Sequence, residues 1–411
     1  MPFRWRALPL PARPLARRII GWAILADLVP IYPLYALLFA DTGLSDAQIS
    51  ALFAVWSAVG IVAEVPSGAL ADRVGRRTAL VIGALVQALG YACWVVVPGF
   101  PGFAAGFVLW GLGGAFASGA QEALLHDGLT AVGAEAHYAR VQGWVRAAGL
   151  AVQVPTAGIA TALFVAGGYA AAGWASVATC IATAAVAARL PETTRPDRAG
   201  DRIPDERHDR RNLTDERAVR AVETAEPSYL ATLRAGVGEV ATQPPLLRAV
   251  VAFGLLYGLD AFEEYFPLVA RDLQISTAVV PAALVAVPLV GALGAALGGP
   301  ANRLGAGALA AVLATGAGLL ALAAAVPHPA ALGGVALFYG LYRAVLVVAD
   351  ARLQERITGP ARATVTSVAN VVAELPAFAV YAAWAVGGTA AMTVLVAAVA
   401  ALLPVLLQRA R

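Results

Sequence analysis

Three ionisable residues stand inside long apolar runs in the first half of this sequence: Asp27, Glu122 and Arg146. A charged side chain there is costly unless it is paired or reached by water. Two acids against one base leave one carboxylate in surplus, which is what a proton carrier needs: Arg146 neutralises one acid while the other titrates. The same residues also fit a static role, an ion pair gluing two neighbouring helices, with Asp27 capping a local break before Pro30. In the second half, Arg343 and Glu374 could pair across one hairpin. Tyr257, Asp260, Glu263 and Glu264 recur at i, i+3, i+6 and i+7, one face of an α-helix. That stripe suits either a water-filled cavity that attracts cations or relays protons, or an outer membrane interface.

Other chemistries find no support. All 29 basic residues are arginine, which excludes a phosphate-loop lysine and a Schiff-base lysine. Cys93 and Cys180 lie in apolar runs, and His126, His137, His208 and His328 have no metal-ligand spacing. No nucleophile–base pair appears. An enzyme, a cofactor, a bound metal and a nucleic-acid partner are therefore not expected.

The elements that must hold these charges are membrane helices. The chain has 411 residues, is 60% hydrophobic and only 13% charged, with a mean hydropathy of +0.73. A helix needs about 20 apolar residues to cross a bilayer. The sequence predicts twelve spans: 19–40, 47–69, 78–97, 102–125, 139–166, 169–189, 246–270, 276–299, 306–326, 330–350, 363–386 and 388–408. "VAGGYAA" and "AVGGTAA" mark turns between closely spaced pairs. On this scheme Asp27, Glu122 and Arg146 lie roughly 6–12 Å from the inner ends of their spans, at about 1.5 Å per residue. Arginine crowds one side, at 17, 18, 73, 76, 77, 140, 189, 303, 352, 356, 362 and 409. The opposite short loops carry only Arg271. Both termini are thus expected in the cytoplasm of a multi-pass cell-membrane protein.

Residues 190–245 mix both signs of charge with proline and read as a cytoplasmic linker, either a tether or a partner-docking segment. Tyr229, Leu230, Leu233, Val237 and Val240 suggest a short amphipathic helix within it. The flanking parts echo each other. "GALADRVG" (68–75) aligns with "GGPANRLG" (298–305), "YPL" (32–34) with "FPL" (266–268), and Asp127 with Asp350. The expected fold is all-α, twelve membrane helices in two pseudo-symmetric six-helix bundles, 1–189 and 246–411, the signature of a duplicated transporter.

"GALADRVGRRT", between spans two and three, matches the cytoplasmic loop motif G-x-L-x-D-R-x-G-R-R/K, and the chain here resembles the major facilitator superfamily. "EVPSGALADR" and "SGAQEALLHD" are similar to its drug-efflux-like branch. The residues explain the motif physically: Gly68 and Gly75 permit a tight turn, and Asp72 and Asp127 each offer Arg76 a carboxylate. The resemblance implies an aspartate–arginine–aspartate latch that holds the outward-facing state, with Arg73 and Arg77 beside it. Plain topology, arginines fixing the inner face by charge, reads the same residues. Span five keeps Gly149, Pro155 and Gly158 in "GLAVQVPTAG" but lacks the Gly-Pro pair often seen in the family's antiporters.

Candidates to touch solute are Tyr35, Trp110, Gln121, Gln153, Tyr257, Tyr339 and Asn370, with Trp110, Gly114, Ala117 and Gln121 forming a stripe. Few polar and many small apolar residues point to a proton-coupled exporter of small hydrophobic or cationic molecules, acting as a monomer in the bilayer. Uptake of a polar metabolite and a non-transporting sensor are the alternatives.

Overall fold

The computed structural model describes residues 8–192, 238, 242–357 and 374–408, without the side chains of 64–72. Among them every regular element is helical: α1 (Arg13–Asp27), α2 (Tyr35–Asp41), α3 (Asp46–Val74), α4 (Arg76–Val96), α5 (Phe100–Thr130), α6 (Tyr138–Ala187), α7 (Pro244–Gly258), α8 (Phe266–Asp272), α9 (Val280–Leu284), α10 (Ala286–Ala296), α11 (Gly298–Ala301), α12 (Ala306–Ala325), α13 (Leu332–Arg356) and α14 (Ala377–Leu406). Eight stretches are long and apolar enough to cross a membrane. The linker between 193 and 237, its expected amphipathic helix, and Asn370 lie outside the described residues.

Local chemistry sets the ends. Ser45 and Gln48 form a capping box at the start of α3: the Ser45 amide donates to Oε1 of Gln48 at 3.0 Å, and the Gln48 amide donates to Oγ of Ser45 at 3.3 Å. The two Gly-Gly pairs turn the chain within α6 and α14. Gly168 and Gly388 have φ of 63° and 51°, in the left-handed region, and the preceding glycines have φ of −162° and −161°. Near-identical geometry at two sites 220 positions apart (388 − 168) is a physical trace of an internal repeat.

Two expected single spans, the first and the seventh, are broken, and the eighth is divided into α9, α10 and α11 at Val285 and Leu297, which keep right-handed helical backbone. The first stops at Asp27 and resumes at Tyr35, and the amide of Ile31 in the break donates to the buried Ser176 hydroxyl on α6 at 3.0 Å. The seventh winds as a 3-10 helix over Leu259–Tyr265 between α7 and α8. Apolar residues run through the first break and flank the three acids of the second closely on both sides, so the hydropathy of the whole window reads one helix. Prolines 30, 33 and 267 mark the places where a backbone donor is missing.

Small residues bring the helices close. A side chain on Gly83 would come within 2.8 Å of the Gly113 carbonyl, and one on Gly90 within 2.8 Å of the Gly106 carbonyl, so α4 and α5 meet backbone to backbone. Gly294 and Gly340 do the same for α10 and α13. The glycine-rich run "GLGGAF" (111–116) on α5 serves this close packing, with Gly113 against Gly83 and Gln87 and Gly111 against Val59. Leu15, Ile19, Leu80, Leu124 and Val141 fill a core among α1, α4, α5 and α6. A larger aromatic core joins both halves through α3 against α14, α6 against α9, and α2 against α8.

Candidate functional site

The charged turn between α3 and α4 is built on Gly75, whose φ of 92° only glycine adopts readily. Arg76 opens α4, forms an ion pair with Asp127 on α5, and donates to the Ala123 carbonyl at 2.9 Å. His126 Nδ1 lies 3.4 Å from the other Asp127 oxygen. Arg77 pairs with Glu192 at 2.9 Å, and that carboxylate lies where a side chain on residue 75 would go. Sequence reasoning missed Glu192, because it stands in what reads as the linker. Arg73 is exposed; Gly68, expected to help make the turn, lies inside α3, so Gly75 alone turns the chain, and the side chain of Asp72 lies outside the described residues. Arg76→Ala is expected to impair solute flux while insertion persists, since it removes charge-assisted bonds made in one conformation. Flux at matched expression checks this, and a wild-type rate would leave the turn as a topology signal only.

In the first half, Arg146 on α6 donates to Glu122 on α5 at 3.5 Å. Gln142 donates to the same Glu122 oxygen at 3.3 Å and exchanges hydrogen bonds with Gln121. Asp27 ends α1, is exposed, and has no hydrogen bond or ion pair among the described residues. Its carboxylate rests against the backbone at Gly149, a position where any side chain would collide with it. It lines a cavity of about 230 Å³ with Trp22, Tyr32, Gln87, Gln121 and Thr183.

In the second half, the 3-10 turn breaks the expected α-helical stripe. With three residues per turn, Asp260 and Glu263 eclipse each other and Glu264 turns away. Arg343 on α13 donates to both Asp260 oxygens, at 3.1 and 3.2 Å. Tyr339 donates to Glu263 at 2.9 Å and to Asp260 at 3.1 Å, and Tyr342 to the Leu256 carbonyl at 2.9 Å. The partner expected for Arg343 was Glu374, its neighbour across one hairpin; the fold supplies Asp260, 83 positions away. Glu264 has no hydrogen bond or ion pair among the described residues. Asp350 is exposed near the end of α13.

The expected solute contacts divide. Trp110 stacks on Trp56 (centroids 4.9 Å apart) and on Tyr32 (5.1 Å), making a partly exposed aromatic wall. Tyr35 lies beneath it, 4% exposed, packed on Phe39, Phe53, Trp94 and Phe107, so it belongs to the core rather than to a surface that solute could touch. Gln121 and Tyr339 are held in the two polar clusters. Tyr257 is exposed beside Phe253, and Gln153 is exposed on α6.

Among the described residues, the bonds between the halves gather toward the end opposite the Gly75 turn. Ser50 and Tyr265 hydroxyls lie 2.9 Å apart, and Ser57 and Tyr381 hydroxyls 2.7 Å. Phe53 packs edge-on against Tyr265 at 5.1 Å, and Arg271 lies 4.0 Å from Asp41.

Long apolar helices, glycine crossings and charges set at helix breaks mark a multi-pass membrane protein, and its family is one of transporters rather than enzymes. The chain belongs to the Major Facilitator Superfamily, whose model matches residues 19–381. Its fold is shared by the nucleoside transporter NupG (12% identity, TM-score 0.68, covering 95% of this chain and 97% of that one). A D-xylose-proton symporter is also similar (14%, 0.65, 95% and 96%). So is a bacterial homologue of the human lysosomal transporter Spinster (18%, 0.62, 93% and 82%). No curated protein matched the sequence.

Proposed function

We propose that this chain is a proton-coupled antiporter that exports small hydrophobic or cationic molecules across the cell membrane by alternating access. The reading takes the fold as twelve spans in two six-helix halves, 1–189 and 246–411, joined by the 190–245 linker, with both termini in the cytoplasm. The observation that carries it is repeated in each half. One arginine is engaged by one acid, Arg146 by Glu122 and Arg343 by Asp260, while another acid, Asp27 or Glu264, has no such partner among the described residues. A surplus carboxylate in an apolar setting exchanges protons or attracts a cation, and repels an anion.

The Tyr32–Trp110–Trp56 wall adds apolar and cation–π contacts for the rest of such a molecule. With the arginine-rich face inside, the bonds between the halves among the described residues lie toward the outer end, which supports a site that loads from the cytoplasm. Uptake of a polar metabolite draws instead on the Asp260–Glu263–Tyr339–Arg343 cluster, which could grip a hydroxylated solute, and on relatives named for nucleoside and xylose transport.

Intrinsic tryptophan fluorescence of the purified protein, titrated with a panel of cationic, neutral and anionic compounds, separates the two. Saturable quenching by aromatic cations that is lost in Trp110→Ala is the expected result. Selective response to neutral polyhydroxylated compounds would favour uptake.

A further inference from the structure

Arg271 breaks the charge pattern of the sequence, as the one arginine in the short loops opposite the basic face. The structure shows what it meets there. Arg271 lies in the last turn of α8, in the second half, and its Nη1 is 4.0 Å from Oδ1 of Asp41 in the first half. Asp41 is the last residue of α2, where the negative end of the helix dipole disfavours a carboxylate. It is compensated twice: by Arg271 on one oxygen, and on the other by the Tyr169 hydroxyl, which donates at 2.6 Å. Tyr169 follows directly on Gly168, whose left-handed backbone turns the chain and sets the phenol over the end of α2. The matching turn at Gly388 is followed by Thr389, too short to repeat the contact, so the arrangement belongs to one side of the repeat.

We infer that Asp41, Tyr169 and Arg271 form an outer clasp that biases the protein toward the state closed on that side. The inference rests on the alternating-access reading above. The clasp sits at the rim, over the Ser50–Tyr265 and Ser57–Tyr381 hydrogen bonds and the Phe53–Tyr265 contact. Those uncharged contacts close the path. The charged rim sets how readily it reopens, because separating the halves leaves Asp41 at a helix C-terminus with Tyr169 alone. Both charged side chains are partly exposed (39% and 45%), so the effect is modest, about two- to fivefold in the ratio of closed to open forms.

The test uses the full chain in lipid nanodiscs, with Cys93 and Cys180 replaced by serine. Spin labels at positions 47 and 276 report the outer end, and labels at 132 and 303 the inner end. Arg271→Gln and Asp41→Asn should each raise the population of long 47–276 distances about two- to fivefold and shorten 132–303 in step. The exchanged pair, Asp41→Arg with Arg271→Asp, should return both distributions toward wild type. Distributions unchanged in Arg271→Gln, in a wild type that does interconvert, would overturn the clasp alone. A wild type with one fixed distance at each end, unmoved by pH or by any solute of the panel, would overturn alternating access and the clasp with it.

Discussion

Asp27→Asn is expected to abolish solute accumulation against a gradient while downhill exchange continues. Asp27 closes α1 at the break in the first span, its carboxylate pressed on Gly149 of α6 and open to the cavity it shares with Tyr32, Gln87 and Gln121. Arg146, the nearest basic residue by sequence logic, donates to Glu122 instead. An amide keeps the shape and polarity of the side chain but cannot carry a proton, so binding and conformational exchange survive and coupling does not. Flux with and without an imposed proton gradient gives the answer. Intact gradient-driven accumulation in Asp27→Asn would assign Asp27 to the helix break alone and transfer the role to Glu264. Glu122→Gln should change stability little, because the expected buried pair is a surface one: Arg146 is 73% and Glu122 50% exposed, and water solvates the freed guanidinium.

Arg343→Ala should have the largest effect on stability. Asp260, Glu263 and Glu264 lie within five residues, and Arg343 is the cation that donates to Asp260. Breaking a fully buried pair costs about 3–5 kcal/mol; with about a third of each partner exposed, about 2–3 kcal/mol is expected here. Adding Asp260→Asn to Arg343→Ala removes the unpaired charge and should recover most of that loss. Thermal unfolding of the purified variants checks both values. Equal stability of Arg343→Ala and wild type would mean that water, not Arg343, solvates Asp260.

How much of this was legible in the sequence follows from the range of the forces involved. The Gly167–Gly168 and Gly387–Gly388 turns are local, because two adjacent glycines interrupting an apolar run leave few alternatives. The Gly75 turn and the Arg76–Asp127 pair were legible for a related reason: a dense set of charges between two spans must gather at one membrane face. The partner of Arg343 was not, because sequence adjacency favours Glu374 while helix packing brings α7 beside α13. Glu263 was read as one of a stripe, and only the 3-10 turn, set by tertiary packing rather than by residue type, separates its surroundings from those of Glu264. Glu192 was hidden by the charged sequence around it. Tyr35 carried the right chemistry for a solute contact, yet rings from three other helices bury it. The drug-efflux-like placement rests on short motifs, and the shape shared with nucleoside and xylose transporters is common to the fold and leaves the solute open.

The central claim is that solute moving one way drives a proton the other way. The direct measurement places the protein in liposomes containing a pH-sensitive dye, with no initial pH difference and the membrane potential clamped. A compound that quenches tryptophan fluorescence is then added outside. Antiport predicts that its entry makes the lumen more alkaline as protons leave, and that Asp27→Asn abolishes the signal while the compound still enters. Acidification of the lumen would show symport, and solute entry with no pH change would show transport without proton coupling; either result contradicts the account.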